Sequence, residues 1–194
     1  VATIKSGNST AQLQVDSNSG AARVTEYLPD GSLGNVAGKV TFSAGINLTP
    51  GASPSDIFLI RGSDTRIIEV TRIMISTTQT TSGINSWYLA KRSTANSGGT
   101  STSVVPVPHD RNDVSPTATI LQYTANPTLG NLVGYLWKGH VPSPCVASFT
   151  LDFSKEFGKP ITLRGAGDVL AMNFGGATLP SGLVVLGSIT WTEE

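Results

Sequence analysis

A single cysteine, Cys145, stands among 194 residues. No intrachain disulfide can therefore staple the fold, and a zinc site would have to rest on His109, His140 and carboxylates. Cys145 itself reads as a small buried apolar side chain. Charge is scarce as well: 13 % of the residues are charged, and 13 Lys plus Arg balance 13 Asp plus Glu. A neutral chain has no global field to draw it to nucleic acid or to an anionic membrane, so neither partner is expected. Aromatic residues make up 7 % of the chain, and they do not interleave with basic ones in the manner of a single-strand binder. The longest apolar runs, such as 183–186, fall far below the roughly 20 residues that cross a bilayer. Helix signals are missing too, because no window of helical length keeps a 3.6-residue period free of Gly or Pro.

Ser, Thr, Asn and Gly supply the polarity instead, and they suit strand surfaces and turns. The segment 56–92 reads as three consecutive strands at 57–60, 66–76 and 84–92, separated by Gly62-Ser63-Asp64 and Thr80-Thr81-Ser82-Gly83. In the middle one, Ile67, Glu69, Thr71, Ile73 and Ile75 alternate with Ile68, Val70, Arg72, Met74 and Ser76. Both faces mix apolar and polar groups, which predicts a strand that changes environment partway, as when it bends from one sheet to another. Residues 93–102 read as an exposed loop, and Val104-Val105-Pro106-Val107-Pro108 as at most an edge segment, since each Pro removes a ladder donor. Further strand signals fall at 117–123, 132–138, 145–153, 161–164, 168–174 and 183–191. Eight or more strands joined by turns predict an all-β fold, a jelly-roll β-sandwich.

Residues 1–50 differ in texture, being small, polar and often interrupted by Gly. Their alternating segments at 11–15, 22–28 and 39–46 are too short to bury much surface alone, so the sequence predicts an extended N-terminal β arm that docks on a neighbour. Strands within it would add to an exposed sheet edge of a partner, with Leu13, Val15, Arg23, Val24, Tyr27 and Leu28 as the candidate contact residues. The run Thr49-Pro50-Gly51-Ala52-Ser53-Pro54-Ser55 marks the boundary, leaving 51–194 as the sandwich domain. The chain opens Val-Ala-Thr-Ile-Lys without a charged leader before an apolar run, which predicts a product made in the cytosol.

Motifs that carry chemistry are few, and no cofactor, metal or catalytic residue is expected. His109-Asp110-Arg111-Asn112-Asp113 is dense in ligand types, but it lacks the glycine and bidentate glutamate of a calcium loop and reads as a turn. Gly165-Ala166-Gly167-Asp168 fails as a dinucleotide loop, because a strand follows it and Asp168 would repel a pyrophosphate. A tight hairpin between 161–164 and 169–174 is expected there. No Gly-x-Ser-x-Gly elbow occurs, and the setting of Asp152 and Glu156, Asp152-Phe153-Ser154-Lys155-Glu156-Phe157-Gly158, reads as a salt-bridged loop in preference to a glycosidase pair. Trp87, Trp137 and Trp191 fall inside strands and read as core. Exposed aromatics beside Asp and Asn would instead favour sugar binding through the loops 93–102 and 108–116.

Several stretches resemble structural proteins of tailed bacteriophages. They are Thr3-Ile4-Lys5-Ser6-Gly7 with Ala21-Ala22-Arg23-Val24-Thr25, and the run from Leu89-Ala90-Lys91-Arg92 through Gly98-Gly99-Thr100-Ser101-Thr102 to Val107-Pro108-His109-Asp110. Tyr123-Thr124-Ala125-Asn126-Pro127-Thr128-Leu129-Gly130 and the ending Ile189-Thr190-Trp191-Thr192-Glu193-Glu194 extend the likeness over most of the chain. The resemblance implies a virion component. More narrowly it implies a capsid decoration or cement protein that is assembled in the host cytoplasm and fixed to the outside of the head by its amino-terminal segment. Its implied partners are the major capsid protein and further copies of itself, as a trimer or dimer. The alternative is a tail or head-fibre appendage that binds host-surface carbohydrate.

Overall fold

A computed structural model describes residues 39–140 and 146–194 with their side chains, and the backbone of residues 2–3, 12–15, 22–25 and 141–143. The chain divides into two compact units, Val1–Lys39 and Val40–Glu194. In the first, β1 (Ala2–Thr3), β2 (Gln12–Val15) and β3 (Ala22–Thr25) form a three-stranded antiparallel sheet with β2 in the middle.

The second unit opens with β4 (Val40–Leu48), where Phe42, Ala44, Ile46 and Leu48 are buried and the residues between them are not. This strict alternation makes it a one-faced strand of a sandwich. The sequence-based boundary at residue 50 placed it in the arm; instead it pairs with the final strand, and the division falls at Lys39. The following strands are β5 (Asp56–Arg61), β6 (Ile68–Thr78), β7 (Gly83–Arg92), β8 (Thr100–Val104), β9 (Val107–Pro108) and β10 (Thr119–Ala125). After them come β11 (Leu132–Ser143), β12 (Val146–Asp152), the single helical turn α1 (Phe153–Glu156), β13 (Ile161–Leu163), β14 (Val169–Asn173) and β15 (Val184–Glu193).

Two sheets result. One has the order β11-β7-β14-β5-β10-β8 and the other β12-β6-β15-β4-β9, with β13 also pairing β6. Setting aside the additional strands β8, β9, β10 and β13, the sets β12-β6-β15-β4 and β11-β7-β14-β5 face one another, and the chain crosses between them in the order of two Greek keys. This is the jelly roll the sequence led one to expect. Proline and polar residues sit where edges can bear them: β9, with Pro108, closes one sheet and the Ser/Thr-rich β8 the other.

The mixed faces of the 66–76 segment have a different cause from the one expected. β6 stays in one sheet throughout. Its register against β15 slips by one residue, Arg72 facing Thr190 and Val70 facing Trp191, so that Thr71 is the extra residue of a β-bulge. A bulge reverses the phase of the side chains beyond it. Ile68 and Val70 before it, and Ile73 and Ile75 after it, thereby all become buried. The Thr71 hydroxyl secures the kink by donating to the Thr190 carbonyl at 3.1 Å.

Between the sheets lies an aromatic and aliphatic core. Phe42 and Trp191 stack at 5.7 Å, and Trp87 meets Phe174 at 4.2 Å and, in a T-shaped contact, Phe149 at 5.3 Å. Trp87 and Trp191 are fully buried, as expected, whereas Trp137 is half-buried and packs on the core from its rim. The hairpin expected around 165–168 is absent, because β13 lies in one sheet and β14 in the other, which makes that turn a crossover between layers. Gly187, in β15, lies against the backbone of β6. A Cβ there would stand 2.5 Å from the Met74 carbonyl oxygen and 3.0 Å from Ile75 Cδ1. Gly187→Val should therefore lower stability by about 1–3 kcal/mol through overpacking, seen as an earlier urea midpoint with an unchanged slope.

Candidate functional site

Two buried carboxylates organise the loops of the sandwich. Asp56, at the start of β5, accepts a bidentate pair of hydrogen bonds from Arg92 at the end of β7, Nε to Oδ2 at 2.8 Å and Nη2 to Oδ1 at 2.9 Å. Asn96 Nδ2 donates to Oδ2 at 2.7 Å and Asn173 Nδ2, from β14, to Oδ1 at 2.6 Å, which completes four bonds to a carboxylate with no exposed surface. Arg92 also donates to the Gly130 carbonyl at 3.0 Å, and Gly130 N–H donates to Asn96 Oδ1 at 2.8 Å. The loop after β7 and the loop before β11 are thus tied to one ion pair. Beneath them Leu59, Tyr123, Val169 and Ala171 form a second apolar cluster on the outer side of the sheet. Burial raises the Tyr123 hydroxyl pKa, and the negative charge of Asp56 adds to the effect while Arg61 opposes it.

Glu193, at the end of β15, is the second carboxylate. It accepts from Trp191 Nε1 at 3.0 Å, from Ala118 N at 3.1 Å and from Thr117 N at 2.9 Å, while the Thr117 hydroxyl donates to it at 2.7 Å. Arg66 Nη1 lies 3.4 Å away. Burial opposes its ionisation, but these hydrogen bonds outweigh burial and hold its carboxyl below the usual glutamate range. The chain entering β10 is thereby pinned to the end of the opposite sheet.

The residues singled out by sequence are dispersed. Leu13 and Val15 fall on β2, which is paired on both sides and so offers no edge for strand addition. Arg23 and Val24 fall on β3, paired on one side only among the described residues, with Val24 opposite Leu13. Tyr27, Leu28 and Cys145 lie outside the described residues. The 109–113 motif is a turn, in which Asn112 N–H bonds Asp110 Oδ1 at 2.9 Å and His109 Nε2 bonds Ser43 Oγ at 2.8 Å. Asp152 and Glu156 fall at a helical turn where a salt-bridged loop was expected: Asp152 caps α1, accepting from Lys155 N–H at 3.0 Å. His140, exposed on β11, shares a 3.1 Å hydrogen bond with Ser86. Among the described residues no three His, Cys, Asp or Glu side chains converge as a metal site.

A concave feature of the body was not legible in the sequence. A groove of about 410 Å³ opens at the rim of the sandwich between β7, β11, α1 and the approach to β13, lined by Leu136, Trp137, Phe153, Phe157, Lys159 and Pro160 among others. Trp137 forms its floor, stacked on Phe149 at 5.4 Å, and Phe153 and Phe157 stand 5.7 Å apart at its wall. At one side Lys91 Nζ donates to the Thr162 carbonyl at 2.7 Å and lies 3.2 Å from Asp168. Its lining comes from three stretches distant in sequence, on β7, on β11 and from α1 into β13, which is why no local motif announces it. No protein-family model, curated protein or solved structure matches this chain.

The lowered pKa of Glu193 makes stability pH-dependent with a defined sign. A carboxyl depressed in the folded state contributes fully above its unfolded pKa, and the contribution is lost as pH falls through the folded value. Glu193→Gln should cost about 1–3 kcal/mol at neutral pH, because an amide turns donors toward Thr117 and Ala118. Chemical denaturation from pH 7 down to 2.5 should show the variant's deficit shrinking as the wild-type carboxylate protonates; a deficit constant across that range would contradict the assignment.

Proposed function

We propose that this protein is a structural component of a bacteriophage virion, which decorates the capsid and cements neighbouring major capsid subunits. The observation that carries this reading is the division of labour within the chain. The body from Val40 to Glu194 holds its own core and binds its loops inward, while the described strands of the leading unit are of two, four and four residues. Sheets that small need an adjoining surface for stability, and an edge such as that of β3, unpaired among the described residues, is a means of gaining one. A jelly roll is used by capsid, lectin and cupin domains alike, so the fold is compatible with this role and does not by itself select it.

The leading unit is the docking segment, with the major capsid protein as its partner, and copies of the protein associate with one another as a trimer or dimer. Repeated weak contacts on a symmetric lattice give firm attachment without a large single interface. The absence of any strong overall charge fits attachment by shape and strand pairing. Arg92 and Asn96, which stand at the base of a loop considered for carbohydrate, are turned inward to Asp56. One feature favours the second reading, a carbohydrate-binding appendage: on the outer face of β7 and β11, Tyr88 and Tyr135 lie 5.4 Å apart with Lys138 Nζ 4.2 Å from the Tyr135 ring centre.

Removing residues 1–39 tests the proposal. The remaining 155 residues, 194 less 39, should melt cooperatively near the temperature of the full chain and lose co-sedimentation with phage heads depleted of the protein. Attachment that survives the deletion would exclude the leading unit as the anchor, and binding to host glycans instead of heads would favour the appendage.

A further inference from the structure

The rim groove has the build of a recognition site. Its volume of about 410 Å³ lies within the range of about 300–1,000 Å³ usual for ligand sites. Its floor is preorganised, because Trp137 stacks on Phe149, which makes a T-shaped contact with Trp87, itself packed on Phe174 in the core. Two large apolar side chains at the groove are left in water, Phe157 at 52 % and Leu136 at 48 % exposure. Their position is not incidental to the strand: β11 slips register at Val133 and again at Leu136, the second bulge falling beside Trp137 at the groove itself. Bulges of this kind re-aim side chains and blunt an edge against strand addition, so an occupant is met here by side chains and not by a backbone ladder.

Charge narrows the occupant. The lining includes Lys91 and Lys159 and no carboxylate. Lys91 is already engaged by Asp168 and the Thr162 carbonyl, and Glu156 stands exposed nearby on α1. Lys159 is exposed and forms no ion pair with a described residue. A sugar would find few polar partners in such a lining.

We propose that this groove binds an extended peptide segment of a partner protein that presents a large apolar side chain beside a carboxylate. The apolar side chain stacks on Trp137 between Leu136 and Phe157, as a buried anchor does at other interfaces, and the carboxylate meets Lys159 at the rim. The groove is lined by residues of the second unit, and its test reads peptide binding and not attachment to phage heads.

The test uses the full chain, ¹⁵N-labelled, titrated with acetyl-Asp-Phe-Leu-Glu-amide and with its neutral counterpart acetyl-Asn-Phe-Leu-Gln-amide. The indole signals of the three tryptophans are assigned with Trp137→Phe. Binding should shift the Trp137 indole and leave that of Trp191 unchanged, with the neutral peptide roughly fivefold weaker. Lys159→Glu, at an exposed position, should erase that preference, and Phe157→Ser should weaken both peptides. An unshifted Trp137 signal, equal affinity for the two peptides, or a shift produced by protein concentration alone would overturn the proposal, the last because another copy of the chain would then be the occupant.

Discussion

The buried pairing of Asp56 with Arg92 is the interaction on which the loop end of the sandwich depends. A carboxylate removed from water is tolerable only if its lone pairs are met, and here Arg92, Asn96 and Asn173 meet them from three places in the chain. The requirement works in reverse as well, since the strands and loops that carry those donors must come to Asp56. Removing either charge alone would leave the other buried and unpaired, at a cost of about 3–5 kcal/mol. One ion pair thus joins β5, β7 and β14 and draws in Gly130 from the loop before β11. Glu193 plays the corresponding part for the segment entering β10, gathering Thr117, Ala118 and the indole of Trp191.

Which parts of this were legible in the sequence follows from the range of the forces involved. Strand positions are set by local alternation and turn residues, so β5, β7, β14 and β15 could be located before their partners were known. The two-layered jelly roll follows from their number and spacing. Register is a non-local property, and the mixed faces of β6 illustrate the consequence: its pattern of isoleucines carried the signature of a bulge at Thr71, yet only the pairing with β15 separates a bulge from a change of sheet. The 165–168 turn was misjudged for the same reason, since nothing in Gly165-Ala166-Gly167-Asp168 says whether the next strand returns to the same layer.

The buried carboxylates escaped notice because their partners lie far away in sequence, 36 and 117 residues in the case of Arg92 and Asn173. A faint signal did exist, as Asp56 and Arg92 are charged residues at the ends of strands otherwise rich in apolar side chains. Strand Val40–Leu48 was assigned to the arm because the Pro- and Gly-rich run that follows it resembles a domain boundary. Its alternation of Phe42, Ala44, Ile46 and Leu48 with smaller or polar residues was the better guide. The groove beside Trp137 has no sequence signature at all, being assembled by topology from β7, β11, α1 and the start of β13.

On the proposed reading these features divide the molecule by task. The body is made rigid by its core and by the two carboxylate clusters, and the leading unit of short strands is completed by the shell to which it attaches. A body that folds without that unit and an anchor that gains its sheet partner on the lattice would let attachment be coupled to assembly. The measurement that bears most directly on this account is the number of copies of the full chain bound per depleted phage head as its concentration is raised. Saturation at a copy number commensurate with the icosahedral lattice is the result expected of a decoration protein. Binding without saturation, or recovery of the protein only with tails, would contradict it.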